Sequence, residues 1–168
     1  MTNNKYIRHL LPVAYLIPLL FLQVVFVPLI SIETVVPDLI LILVVYNSVK
    51  QGQIPGTIFG FGAGLIFDLV TGNLLGSAAL AKTIAGFVAG YFNTNRIEIN
   101  LKSYRFIFII LLAAFINSST FALVTNFDLN NNLLKLIFEQ GITPALYTGF
   151  ISAIWIFATP TKKGDWLE

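Results

Sequence analysis

The residues in this chain with chemical capacity are few, and most of them sit inside apolar runs. Asp38, Asp68, Lys82, Glu139 and the polar patch Asn117-Ser118-Ser119-Thr120 are the ionisable or polar groups flanked by long hydrophobic stretches. A charge placed within a membrane span costs about 2.5–3.5 kcal/mol on the insertion scale, so it is normally held by a partner or faces a cavity. Asp68 and Lys82 lie on adjacent runs, both in the outer half of the bundle on the topology that the basic residues imply. We therefore expect them to pair, either as an ion pair that locks the fold or as the lining of an outward-facing pocket or partner-binding groove. Asp38 follows Pro37 at the head of a run, which is the position of a helix N-cap.

None of these residues forms a recognisable catalytic constellation. The metalloprotease motif His-Glu-x-x-His, the Gly-x-Ser-x-Gly nucleophile turn and the phosphate-binding loop do not occur. Two intramembrane aspartates suggest an aspartyl protease, but that chemistry places one aspartate in a Gly-x-Gly-Asp turn, and here the stretch reads Gly64-Leu-Ile-Phe-Asp68. Ser118 or Ser119 with Lys82 would be a serine–lysine dyad only if spacing brought them together, and nothing in the spacing does so. The chain has no cysteine and one histidine, His9, so thiol catalysis, disulfides and cysteine metal sites are excluded and one histidine alone holds no metal. No catalytic residue, metal or cofactor is assigned. The net charge of +2 is too small to argue for nucleic acid.

The elements that position these residues are membrane helices. Hydrophobic residues make up 57% of the 168 and charged ones only 11%, far below the quarter that covers a soluble surface. Six apolar runs follow one another, at approximately 10–30, 37–49, 54–70, 74–92, 104–125 and 138–158. The first would reach about 31 Å at 1.5 Å per residue, enough to cross the hydrocarbon. It is too long for a signal-peptide core and is read as a retained anchor, kinked by prolines 12, 18 and 28. The connectors are too short to hold a folded module, so residues 1–168 are read as a single transmembrane domain. Alternate connectors divide the basic residues eight to one: Lys5, Arg8, Lys50, Arg96, Lys102, Arg105, Lys162 and Lys163 against Lys135. Because basic residues stay cytoplasmic, both termini are expected inside. On that topology Asp38, Asp68, Lys82, Asn117 and Glu139 all fall in the outer half of the bundle. Runs two and three are short, and a re-entrant pair there would leave the parity unchanged.

Small residues mark where helices approach closely. Gly56, Gly60 and Gly64 are spaced by four, and Asp68 continues the row; Ala81, Ala85 and Ala89 form one row of the next run, with Gly86 and Gly90 beside it. Without a hydrophobic force between helices in lipid, such rows allow close van der Waals contact. Runs three and four are expected to pack together within one chain rather than to dimerise.

Three segments, in order, resemble a known family. They are Pro37-Asp38-Leu-Ile-Leu-Ile-Leu-Val-Val-Tyr46, Gly60-Phe-Gly-Ala-Gly64-Leu-Ile-Phe-Asp68 and Leu74-Leu-Gly76-Ser-Ala-Ala-Leu80. With one preceding span and this length, they resemble MreD, the bacterial rod shape-determining membrane protein family. The resemblance covers about 37–92. Lys82 inside a run and the Asn-rich 130–132 loop are departures from it. It implies an all-α integral membrane protein, a six-transmembrane-helix bundle similar in architecture to the substrate-binding components of energy-coupling-factor transporters. It further implies a non-catalytic scaffold in the cytoplasmic membrane. Such a scaffold binds an MreC-like single-span membrane protein and is linked through it to an MreB-like filament and the peptidoglycan synthases. Asp38, Gly60, Gly64, Asp68, Gly76, Lys82 and Asn117 are the partner-binding or polar-cluster candidates. The competing reading is a small-solute, vitamin-like binding component of a transporter, using the outer polar cluster as its pocket.

Overall fold

The computed structural model describes residues 3–31, 35–93, 104–125 and 138–158, with backbone alone at 3–11, 104, 138–139 and 155–158. Every long element among them is a helix. Helix α1 spans Asn3–Phe21 and runs on through a π turn at Leu22–Phe26 and a 3-10 turn at Val27–Ile30. Pro12 and Pro18 lie inside the continuous α-helix. The regular pattern breaks just before Pro28, which has no N–H to offer the preceding turn. There the Val27 N–H reaches back to the Leu22 carbonyl, and the chain then tightens and ends at Ser31.

Helix α2 is Leu39–Gln51 and α3 is Gln53–Thr71, separated by the single residue Gly52 at φ +97°. Helix α4 is Ser77–Tyr91, α5 is Tyr104–Thr125, and α6 is Thr143–Ala158, entered through a π turn at Phe138–Ile142. The six apolar runs thus correspond to six helices among the described residues. Three stretches, Pro12–Ile30, Gln53–Thr71 and Arg105–Thr125, are long and apolar enough to cross a membrane. Helix α2, with 13 residues, covers only about 20 Å. Helix α4 begins at Ser77 rather than at the Leu74 where the apolar run starts, because Gly76 takes φ +99° and the chain turns there.

The short α2 is the central helix. It contacts all five others, and Ile40, Leu41, Val44, Val45 and Val49 are wholly buried. Burial on most sides, with only the Leu39, Ile42, Leu43 and Tyr46 face partly open, matches the aliphatic run Leu39–Val45, which shows no polar stripe. One face meets Leu16, Leu20 and Ala63, and the other meets Ala85, Ala89, Phe106, Ile110 and Ala113. The most extensive contact is between α3 and α4. Small residues such as Ala63, Ala78, Ala81, Ala85, Ala89, Ala113 and Ala114 are buried, while Ile17, Leu29, Ile54, Ile58 and Phe150 point outward. An exterior of large apolar side chains suits a lipid surround, where close backbone packing holds the interior together.

Candidate functional site

The N-terminus of α2 is where four other elements converge. Asp38 is its N-cap: Oδ1 accepts the Leu41 N–H at 2.8 Å, answering one of the orphan donors of the first turn. Its own N–H donates to Thr148 Oγ1 of α6 at 3.1 Å. Its second oxygen, Oδ2, accepts from Lys82 Nζ of α4 in an ion pair and from Asn117 Nδ2 of α5 at 3.3 Å. The residues on either side of Asp38 are held by Gln23 of the α1 π turn. Its Oε1 accepts the Leu39 N–H at 2.8 Å, and its Nε2 donates to the Pro37 carbonyl at 2.9 Å. Lys82 is 2% exposed and its ammonium stands 5.3 Å from the Phe67 ring centroid, so its charge is answered by a carboxylate and an aromatic face.

This arrangement corrects the pairing suggested by the sequence. Lys82 bonds Asp38, not Asp68. Asp68 instead closes the N-terminus of α4. Its Oδ2 accepts the N–H groups of Gly76 (3.0 Å), Ala78 (3.1 Å) and Ala79 (3.2 Å). Its Oδ1 accepts the Ala78 N–H at 3.1 Å and the Ser77 hydroxyl at 3.3 Å. An anion among the free N–H groups of a helix start is favoured by both hydrogen bonding and the helix dipole, so Asp68 needs no lysine. The physical reason for the changed partner is the turn at Gly76, which lays the start of α4 on the Asp68 carboxylate and fills its oxygens with N–H and hydroxyl donors. At Gly60 the α3 backbone rests on the Lys82 carbonyl, and a Cβ would collide with it. The Lys82 side chain passes the Phe67 ring of α3 and reaches Asp38 at the start of α2.

The glycine row packs inside the chain. A Cβ at Gly64 would lie within 3 Å of Ala78 and Ala79 backbone atoms, and one at Gly56 would meet Ser48 of α2. Gly86 answers from α4, against the Gly56 carbonyl. Gly60 and Gly64 are therefore covered by α4 and present no free face to another protein. Gly76 is used for its conformation and for its N–H to Asp68.

Beside the Asp38–Lys82 pair lies a cavity of about 340 Å³. Its walls include Val35, Val36, Phe67, Asn117, Ser118 and Phe121. Asn117 is buried, and its Oδ1 has no hydrogen-bond partner among the described residues. Among the described residues the Lys82 ammonium hydrogen-bonds only Asp38, and no group of three His, Cys, Asp or Glu side chains could hold a metal. The side chains of His9 and Glu139, the 130–132 loop and most of the basic connector residues lie outside the described residues.

Gln23 and Thr148 were not singled out as site residues by the sequence. Gln23 had a signal, being the one polar side chain in the first run; Thr148 had none, because a threonine in a span usually bonds to its own helix.

The family described as rod shape-determining protein MreD matches residues 4–159, nearly the whole chain. No curated protein and no solved structure gives a match. The chain belongs to the MreD family, a family of membrane proteins that determine rod shape.

Proposed function

We propose, from that membership, that this chain is a non-catalytic membrane scaffold of the bacterial cell-wall elongation complex. In this reading it binds an MreC-like single-span membrane protein and helps to maintain rod shape. The connection to an MreB-like filament and to the peptidoglycan synthases is indirect, through that partner. The observation that carries the reading is the family match over residues 4–159. The geometry supports it in a second way. Among the described residues the buried charges are consumed by capping and pairing, as in a fixed framework, and none is arranged as a nucleophile with its base. The charge distribution supports a single multi-pass domain in the cytoplasmic membrane with both termini on the cytoplasmic side.

One observation favours a different reading. The cavity at the Asp38–Lys82 pair suits a small-solute binding component of a transporter, of the kind found in energy-coupling-factor systems. A pull-down of tagged protein from native membranes in mild detergent, with partners identified by mass spectrometry, separates the two. A single-span coiled-coil protein recovered with wall synthases supports the scaffold. An ATPase module with a coupling subunit overturns it in favour of the solute-binding component.

A further inference from the structure

We propose that the half-open cavity lined by α3, α4, α5, α6 and the start of α2 is a binding site for an uncharged, hydroxyl-bearing group. The site belongs to the chain itself, whichever partners it assembles with. The volume, about 340 Å³, is roughly that of ten waters and falls in the range of small-ligand pockets. Its lining contains two ionisable side chains, Asp38 and Lys82, and they neutralise each other by direct contact. The occupant is therefore uncharged. A carboxylate or phosphate would lie against Asp38, and an ammonium against Lys82.

The hydrogen-bonding groups left over specify the rest. Asn117 is 6% exposed and lines the cavity; one of its two amide N–H groups donates to Asp38, and its Oδ1 is a buried acceptor with no donor among the described residues. Buried polar atoms of this kind are rarely left unanswered. Lys82 carries three N–H donors and uses one on Asp38. The Thr148 oxygen already accepts from the Asp38 N–H, so the hydrogen of its hydroxyl remains available. The cavity thus presents an acceptor and donors on three side chains gathered around Asp38. A hydroxyl donates and accepts at one atom, and so answers Asn117 and a donor together. The Phe67, Phe121, Val35 and Val36 walls take the C–H surface that joins one hydroxyl to the next. A free sugar or polyol and the head group of an uncharged glycerolipid or glycolipid share this chemistry.

The test is to purify the protein from native membranes in lauryldimethylamine oxide, a detergent without hydroxyl groups, and to quantify what it carries. Aqueous and chloroform extracts are analysed by mass spectrometry for wild type, Ser118→Leu and Asn117→Leu. Ser118→Leu places bulk in the cavity and leaves Asp38, Lys82 and Asn117 intact; Asn117→Leu removes the orphan acceptor. We expect close to one uncharged hydroxyl compound per wild-type chain, in the aqueous phase if it is a free polyol and in the chloroform phase if it is a lipid. Ser118→Leu should retain at least tenfold less at an unchanged melting temperature. Fewer than one molecule per ten wild-type chains overturns the proposal, as does an anionic occupant or equal retention by the filled Ser118→Leu variant. None of these results bears on which proteins are recovered in the pull-down, so this site and the scaffold reading fail separately.

Discussion

Replacing Lys82 with methionine and Asp38 with asparagine, singly and together, isolates the contact on which the centre of the bundle depends. Asp38→Asn keeps a side-chain oxygen for the Leu41 N–H but leaves the Lys82 cation, 2% exposed, without its anion. Stranding a buried charge costs about 3–5 kcal/mol. Lys82→Met strands less. The Asp38 carboxylate, 21% exposed, keeps the Leu41 N–H and the Asn117 amide, so the loss is about 1–3 kcal/mol. The double variant removes both charges and keeps the volume, and should cost about 1–2 kcal/mol. The singles together then exceed the double by at least about 2 kcal/mol, which is the coupling energy of the pair. Reversible unfolding by sodium dodecyl sulfate titration into mixed micelles, followed by circular dichroism, measures each step. The parallel cycle of Asp68→Asn with Lys82→Met should show a coupling smaller by at least about 1 kcal/mol, because Asp68 is answered by backbone N–H groups. A coupling below about 0.5 kcal/mol for Asp38 and Lys82, or a larger one for Asp68, would refute the pairing.

Three further outcomes follow from individual contacts. Asp68→Ala strands the N–H groups of Gly76, Ala78 and Ala79 at a buried helix start, and should cost about 3–5 kcal/mol by the same titration, beyond the usual loss of an N-cap. Gly64→Ala forces a Cβ within 3 Å of the α4 backbone and should lower stability by about 1–3 kcal/mol, whereas Gly62→Ala, with nothing within 4 Å, should be neutral or stabilise by up to about 1 kcal/mol; a reversal of that order in melting temperature would remove the α3–α4 contact from the account. Gln23→Leu breaks the two bonds that flank Asp38 and should cost about 1–3 kcal/mol, with increased hydrogen exchange at the Leu39 amide.

Much of the fold was legible because lipid simplifies the problem. Long apolar runs imply helices, and a glycine every fourth residue implies that a backbone approaches, as it does where Gly60 and Gly64 lie against α4. The capping role of Asp38 could be read from its place after Pro37. The partner of Lys82 could not. Helical periodicity places a residue on a face, but the direction in which that face points depends on how the helices are rotated against one another, and connector length does not fix this. Asp68 was nearer in sequence and at the right depth, yet the turn at Gly76 brings the start of α4 onto its carboxylate. Asp38, 44 positions from Lys82, was available because α2 runs through the middle of the bundle. The short length of α2 was visible in the sequence, but its central position was not. An unbroken aliphatic run reads equally as lipid-exposed or as enclosed by other helices.

The central claim, that this bundle serves cell shape through its fixed architecture, is tested most directly by depleting the chain in its bacterial host. Cell length and width are then measured while wild type, Gly64→Leu or Gly62→Ala is supplied at matched membrane levels. The account predicts that depleted cells lose their rod form, that wild type and Gly62→Ala restore it, and that Gly64→Leu does not. Cells that keep their dimensions on depletion, or that Gly64→Leu restores fully, would contradict it.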